Sequence, residues 1–221
     1  MVRVIEPSYQ IETSIDGVAG MAICRMLENA ARVCYKSEQR ITGDSYIALL
    51  KQIIKSGHES VLEHASITVR FICDRGISHE LVRHRIAAFS QESSRFCNYG
   101  KGQFGNQITV IRPLFFELDT PRYFEWVKAM EEASAHYFQL LVWGCSPQEA
   151  RSVLPNSLKT EIICTANLRE WRHILKLRTS NKAHPQMRQL MIPLLAEFQK
   201  YIPIVFDDIN PTGESENDKV R

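Results

Sequence analysis

Apolar residues recur at helical spacing between Gly17 and Tyr35 (Met21, Ile23, Cys24, Leu27, Ala30, Ala31), which predicts an amphipathic helix. A second helix is expected from Asp44 to Ser56, capped by Thr42 or Asp44 and stopped by Gly57 in a left-handed conformation. A helical turn should follow, with Ser60 as its cap and Glu63 at the capping-box spacing. Residues 65–73 alternate instead. Ile67, Val69, Phe71 and Cys73 point one way and Ser66, Thr68, Arg70 and Ile72 the other, the pattern of a half-buried strand.

Further short strands are expected at 2–5, 8–12, 107–111 and 160–166. A third helix is read over Ser78–Ala87, with Ile77, Leu81, Val82 and Ile86 as its apolar stripe, before a polar loop from Ser90 to about Asn106. Thr120-Pro121 opens a long helix to about Trp143, because proline suits the first helical position. Ser146 and Glu149 form a second capping-box pattern. Two more helices are predicted, Asn167–Arg178 and Pro185–Tyr201, the latter kinked at Pro193. After Phe206 the chain turns acidic and polar and is expected to be loose. Helices dominate and the strands do not alternate regularly with them. The fold class expected is therefore α+β, with helices packed around a small, mainly antiparallel sheet in one domain over residues 1–221.

Composition changes this picture little but removes several functions. A net charge of +2 means that any attraction for phosphates must come from local clustering. No apolar run approaches the ~20 residues that cross a bilayer, and the N-terminus lacks the pattern of a secretion signal; a cytoplasmic protein with no membrane partner is expected. The six cysteines are scattered, with no CxxC pair, so neither a metal site nor a disulfide framework is predicted. No GxGxxG follows a strand and no GxxxxGK[ST] occurs. Nucleotides, if bound, must be held by side chains.

The densest chemistry is the stretch from Ser78 to Arg95. Arg83, His84 and Arg85 fall at the end of the expected third helix, where cations suit the helix dipole. Successive helical residues point about 100° apart, so the three fan too widely to share one solvated face. The following loop offers Ser90, Gln91, Ser93, Ser94 and Arg95, a mixture of hydroxyl, amide and guanidinium groups suited to phosphate and carbonyl recognition. On chemistry alone this is a site for an anionic ligand. Competing roles are a nucleic-acid-binding module, disfavoured by the near-neutral charge and acidic tail, and a phosphate-ester hydrolase, which lacks a carboxylate cluster for metals.

The order of these residues is more specific. Arg83-His84-Arg85, seven residues, then Ser93 resembles the signature of the flavin-dependent thymidylate synthases, also called the thymidylate synthase complementing protein family. Ala31–Tyr35, Gly57-His58-Glu59-Ser60 with Glu63-His64, Ala150-Arg151 with Leu154-Pro155, and Asn167-Leu168-Arg169 with His173, Arg178 and Ala183-His184-Pro185 match other family segments in order. The resemblance implies an enzyme that methylates dUMP to dTMP with FAD as cofactor, 5,10-methylenetetrahydrofolate as carbon donor and NADPH as reductant. It implies a homotetramer with flavin sites between subunits, and no nucleic-acid partner. By the same resemblance His58, Ser60, Arg83, His84, Arg85, Gln91, Asn167, Arg169 and His173 hold FAD. Glu80, Arg83, Gln91, Glu92, Ser93, Ser94, Arg95 and Arg151 surround dUMP, and Arg178 is the catalytic group, lying against the uracil and favouring ionisation at N3. The family commonly has Ser and Asn at the positions of Ala88 and Ser90, and Gln at that of Glu80. A carboxylate beside a phosphate would repel it, so Glu80 is expected to face the base or an arginine. Asn167 also stands three residues before Glu170, where it would serve simply as a helix cap.

Overall fold

The computed structural model describes residues 2–211. Two short strands, β1 (Arg3–Ile5) and β2 (Ser8–Ile11), precede the long helix α1 (Val18–Tyr35). Gly20 of α1 lies so close to the Tyr201 carbonyl that a Cβ there would sit 2.0 Å from its oxygen. Helix α2 (Ser45–Lys55) begins after Asp44, whose side chain makes no cap; Ser45 Oγ instead accepts from the Thr42 amide at 2.9 Å. Gly57, with φ of 69°, provides the expected stop. The turn at Glu59–His64 is a 3-10 helix beginning after His58. It has no side-chain cap: the turn begins at Glu59, so Ser60 lies inside it and the expected Ser60 capping box does not form, while Glu63 pairs with Arg169 at 2.6 Å.

Strand β3 (Ser66–Asp74) buries alternate residues as predicted and runs directly into α3 (Arg75–Leu81). The third helix thus starts and ends earlier than the sequence pattern suggests. Asp74 Oδ1 accepts from the Ile77 amide at 2.8 Å, which fixes the start upstream of Ser78. Val82 and Ile86 are 37% and 74% exposed and add nothing to the buried stripe of Ile77 and Leu81. Arg83 closes the last turn through its amide on the Glu80 carbonyl, and His84 opens a separate turn closed by Ala87. Strand β4 (Ala88–Gln91) takes the start of the stretch read as loop.

Beyond β5 (Thr109–Ile111), helix α4 (Pro121–Val142) is capped by Thr120, and α5 (Pro147–Ala150) by Ser146 and Glu149. The Glu149 carboxylate accepts from the Ser146 amide at 2.8 Å and its hydroxyl at 2.6 Å. Strand β6 (Lys159–Asn167) leads into α6 (Leu168–Arg178), where Asn167 Oδ1 accepts from the Glu170 amide at 2.9 Å. Helices α7 (Pro185–Tyr201), with Pro193 inside it, and α8 (Pro203–Phe206) follow. The strands form a mainly antiparallel sheet of order β2-β3-β6-β4 and a parallel pair, β1-β5. This is the α+β class read from the sequence.

The chain divides into two compact units. The first comprises the chain up to Ser8, Arg70–Arg83 and Phe89–Ile163; the second comprises Tyr9–Val69, His84–Ala88 and the chain from Cys164 onward. The first has a core of Tyr99, Ile108, Val110, Trp126, Met130, Tyr137, Ala150 and Leu158. Its Trp126 indole is satisfied by Ser157 Oγ at 3.2 Å. The second buries Leu27, Leu50, Leu62, Trp171, Leu194, Phe198 and Phe206. There the Trp171 indole donates to the Ile67 carbonyl at 2.9 Å and its ring meets Phe198 edge-on at 5.5 Å. Arg172 is 1% exposed and donates to Glu59 at 3.0 Å, to both oxygens of Asp208 at 2.6 and 2.7 Å, and to the Val205 carbonyl. Asp208 is thereby tied down, and Ile209 is buried with its carbonyl accepting from Gln199 at 3.0 Å. Residues 212–221 of the tail read as loose lie outside the described residues.

Candidate active site

Within the first unit, the strand-to-helix junction at Asp74 and the capping box at Ser146 place two arginines at one concavity. Arg75 opens α3 and Arg151 follows α5 directly. The concavity, about 480 Å³, is lined by these two with His79, Ser94, Gln148 and Asn156, among others, and no carboxylate is among its lining residues. Arg151 Nη1 donates to the buried Ser94 Oγ at 3.2 Å. Two permanent cations, an imidazole, two hydroxyls (Ser94 and Ser152) and two amides around a space of small-ligand size make a receptor for a phosphate ester. Of the residues predicted to surround the substrate, Ser94 and Arg151 line it. Arg83 and Arg95 are exposed, Glu80 and Ser93 half-buried, and none of the four lines it. The Arg95 guanidinium lies 5.5 Å from the centre of the Phe96 ring, which is 80% exposed.

Gln91 and Glu92 line a different concavity, with Arg70, Lys159 and Glu161. Their polar atoms are held by the fold. Gln91 Nε2 donates to Ser78 Oγ at 2.9 Å and Thr160 Oγ1 at 3.1 Å. The Glu92 carboxylate accepts from the Tyr99 hydroxyl at 3.0 Å and from Lys159 Nζ at 2.8 Å. Burial pulls the Lys159 ammonium down, but the carboxylates of Glu92 and Glu161 outweigh it and raise its pKa. Positive and negative groups balance here, unlike in the Arg75–Arg151 concavity.

Within the second unit, α6 carries three of the predicted residues and its cap a fourth. The Asn167 side chain is committed to capping. Arg169 and His173 are exposed, Arg169 pairing with Glu63, and on the preceding turns His58, Ser60 and Arg85 are exposed as well. Arg178, at the helix end, donates from Nε to His84 Nε2 at 3.0 Å. His84 is 5% exposed, and its Nδ1 faces Glu170 Oε1 at 3.5 Å. Burial, then the charge of Arg178 and then that of His173 push the His84 imidazole down to about 4. Burial raises the Glu170 carboxyl, against His173. His84 is therefore neutral at physiological pH. One atom each from His84, Glu170 and His173 lies within 4.8 Å of the others, a spacing that could suit a metal ion. The Arg178 guanidinium occupies the His84 Nε2 lone pair, and its fixed charge opposes a cation there.

All six cysteines are free. Burial pushes the Cys73 and Cys164 thiols up to about 12 and Cys24 to about 11. Cys97, the thiol nearest the polar stretch in sequence, is raised by burial and then by Glu92. Thiolate chemistry is disfavoured at each of these four. Sequence reasoning missed Arg75, His79 and Glu170. His79 stands four residues before Arg83, a helical-face spacing that could have drawn attention to it. Arg75 and Glu170 carried no comparable signal.

Comparison with known proteins gives a consistent family. Residues 21–204 match the family model described as thymidylate synthase complementing protein. A flavin-dependent thymidylate synthase of Pyrococcus furiosus is 35% identical over 177 residues, covering 80% of this chain and 70% of that protein. One from Geobacter sulfurreducens is 34% identical over 189 residues, covering 82% and 80%. One from Mycobacterium sp. (strain JLS) is 34% identical over 229 residues, covering 92% and 85%. A solved structure described as the UMP/dUMP methylase PolB from Streptomyces cacaoi bound with 5-Br dUMP shares the fold. Its TM-score is 0.75 at 24% identity, covering 97% of this chain and 100% of that one. With a family model spanning most of its length and relatives above a third identical, the chain belongs to the flavin-dependent thymidylate synthases of the thymidylate synthase complementing protein family.

Proposed function

We propose that this chain methylates dUMP to dTMP, taking the carbon from 5,10-methylenetetrahydrofolate and the reducing equivalents from NADPH, with FAD as its cofactor. The observation that carries the reading at the site is the Arg75–Arg151 concavity, which gathers phosphate donors and holds no carboxylate. There Arg151 and Ser94, assisted by Arg75 and His79, hold the dUMP phosphate. Glu80, Ser93, Arg83 and Arg95, with Gln91 and Glu92 assigned from the family pattern, complete the nucleotide's surroundings.

The donor chemistry of the second unit fits a flavin dinucleotide. Its diphosphate needs hydrogen-bond donors, the chain has no glycine-rich cradle, and exposed Arg85, Arg169, His58, His173 and Ser60 offer guanidinium, imidazole and hydroxyl groups. Arg83, His84, Gln91 and Asn167 complete that assignment. When bound, FAD supplies the redox chemistry that converts the transferred one-carbon unit to a methyl group. Arg178 lies against the uracil and stabilises the charge that develops at N3 as its proton leaves, an electrostatic contribution of the kind that can dominate catalysis. Neutral His84 holds that guanidinium in place. The raised thiols of Cys24, Cys73, Cys97 and Cys164 support a route without a cysteine nucleophile.

Residues 1–221 act as one domain that assembles into a homotetramer with flavin sites between subunits, in the cytoplasm and without a nucleic-acid partner. No helix among the described residues is long and apolar enough to cross a membrane. The direct test is the purified protein. It should be yellow, release FAD on denaturation and form dTMP from dUMP, methylenetetrahydrofolate and NADPH. Arg178→Ala should keep FAD and lose dTMP formation. A colourless protein that takes up no FAD rejects the reading, and an active Arg178→Ala enzyme rejects the role of Arg178.

A further inference from the structure

Arg178 is a flexible side chain at the end of a helix, yet the proposed chemistry needs its guanidinium at one place. The fold supplies a fixed partner. Arg178 Nε can only donate, so His84 Nε2, 3.0 Å away, must accept. A neutral imidazole has one N–H, which is then on Nδ1. That N–H faces Glu170 Oε1, in the first turn of the same helix. The side chains of His84 and Glu170 are 4% and 8% exposed, so the carboxylate sees little competing water. At 3.5 Å the contact is longer than an ordinary hydrogen bond; it acts as a charge facing an N–H dipole in a poorly screened place.

Glu170 is itself held. Its amide is bound by the Asn167 cap, which sets the first turn of α6 and with it the direction from which the carboxylate reaches the ring. The same helix therefore carries the anion in its first turn and the guanidinium at its end, eight positions further on. In the other tautomer an N–H would face the Arg178 N–H, and in a flipped ring a C–H would; either way the guanidinium would lose its acceptor. The charged and titratable groups facing His84 are Glu170, His173 and Arg178, all from α6.

We propose that Glu170 is a positioning residue for the methylation reaction: from the buried first turn of α6 it selects the Nδ1–H form of His84, and so leaves Nε2 to orient Arg178. This rests on the assignment of Arg178 as the group against the uracil. It adds a residue whose own contacts are with protein, acting on the reaction only through the imidazole.

The experiment compares Glu170→Gln and Glu170→Leu with the wild-type, FAD-loaded enzyme. Glutamine keeps an oxygen that can accept from Nδ1–H; leucine keeps the volume but has no acceptor. Expected are a loss in kcat of about 10-fold or more for Glu170→Leu, the scale on which partners that orient a functional imidazole act, a smaller loss for Glu170→Gln, and unchanged FAD content in both. Wild-type kcat in Glu170→Leu overturns the proposal. So does equal loss in both variants, or a loss that follows FAD content. If Glu170→Leu does not fold, the Glu170→Gln kinetics and histidine ¹⁵N spectra decide. In the wild-type protein and in Glu170→Gln the His84 signals should show a protonated Nδ1 and an unprotonated Nε2. A protonated Nε2 overturns the proposal whatever the activity. The spectra need no turnover, so an enzyme that makes no dTMP would sink the functional reading without touching the tautomer result.

Discussion

The neutral His84 imidazole makes the stability of the fold depend on pH in a direction that can be worked out. In the unfolded chain the ring titrates near its ordinary value of 6.5; in the fold, burial and the charges of Arg178 and His173 bring it to about 4. Between these values the unfolded chain binds a proton that the folded one refuses. The contribution of His84 is thus fully present above pH 6.5 and is lost as pH falls towards 4. Each pH unit of that window corresponds to about 1.4 kcal/mol, so the full loss is at most about 3 kcal/mol. His84→Gln removes the titration and keeps the geometry, because the amide oxygen can accept from Arg178 while the amide nitrogen faces Glu170. Urea unfolding of both proteins at about pH 7.5 and about pH 4.5 provides the assay. The wild type should lose about 2–3 kcal/mol more than His84→Gln over that interval. Glu170, raised by burial, acts in the opposite sense in both proteins, being stabilising at low pH and fading as pH rises. Equal acid losses in the two proteins would refute the reasoning and mean that the ring accepts a proton in the fold without penalty.

Arg151→Ala should weaken dUMP binding by about 10- to 100-fold, since a hydrogen bond to a charged group is worth about 1.5–3 kcal/mol; calorimetric titration should show little change for deoxyuridine, which has no phosphate. Arg172→Met should cost about 3 kcal/mol of unfolding free energy, the low end for breaking a buried ion pair, because Asp208 is 44% exposed at its side chain and can regain water. Denaturant unfolding of Arg172→Met, Asp208→Asn and the double variant would check this, the double variant being less destabilised than the sum of the two.

Much of the architecture is legible because it rests on local rules. The alternation in β3, the Thr120-Pro121 start of α4, the Ser146–Glu149 box and the Asn167 cap are each written within a few residues. The third helix is misread because Ser78 looks like a start and Val82 and Ile86 continue an apolar period. Asp74, at the end of a strand, captures the Ile77 amide first, and the chain leaves the helix before the Arg-His-Arg stretch. The Ser60 box fails because the turn begins at Glu59 and encloses Ser60, and Glu63 pairs instead with Arg169, distant in sequence. The same limit applies to the chemistry. That Arg178 belongs against His84, or Arg151 against Ser94, is fixed by packing between segments 94 and 57 residues apart. Local chemistry singles out His84 and Ser94, but only family order points to Arg151 and Arg178, and neither points to Arg75, His79 or Glu170.

The clamp around Arg172 has a bearing on how the protein is made. Asp208 is among the last described residues to leave the ribosome, whereas the guanidinium it neutralises is buried in α6. A nascent chain halted before that point must enclose a cation with Glu59 as its one carboxylate among the described residues, and is correspondingly reluctant to close. Closure of this core therefore waits for the segment that carries Asp208, and chains terminated before it are left open to the proteases that survey unfolded protein.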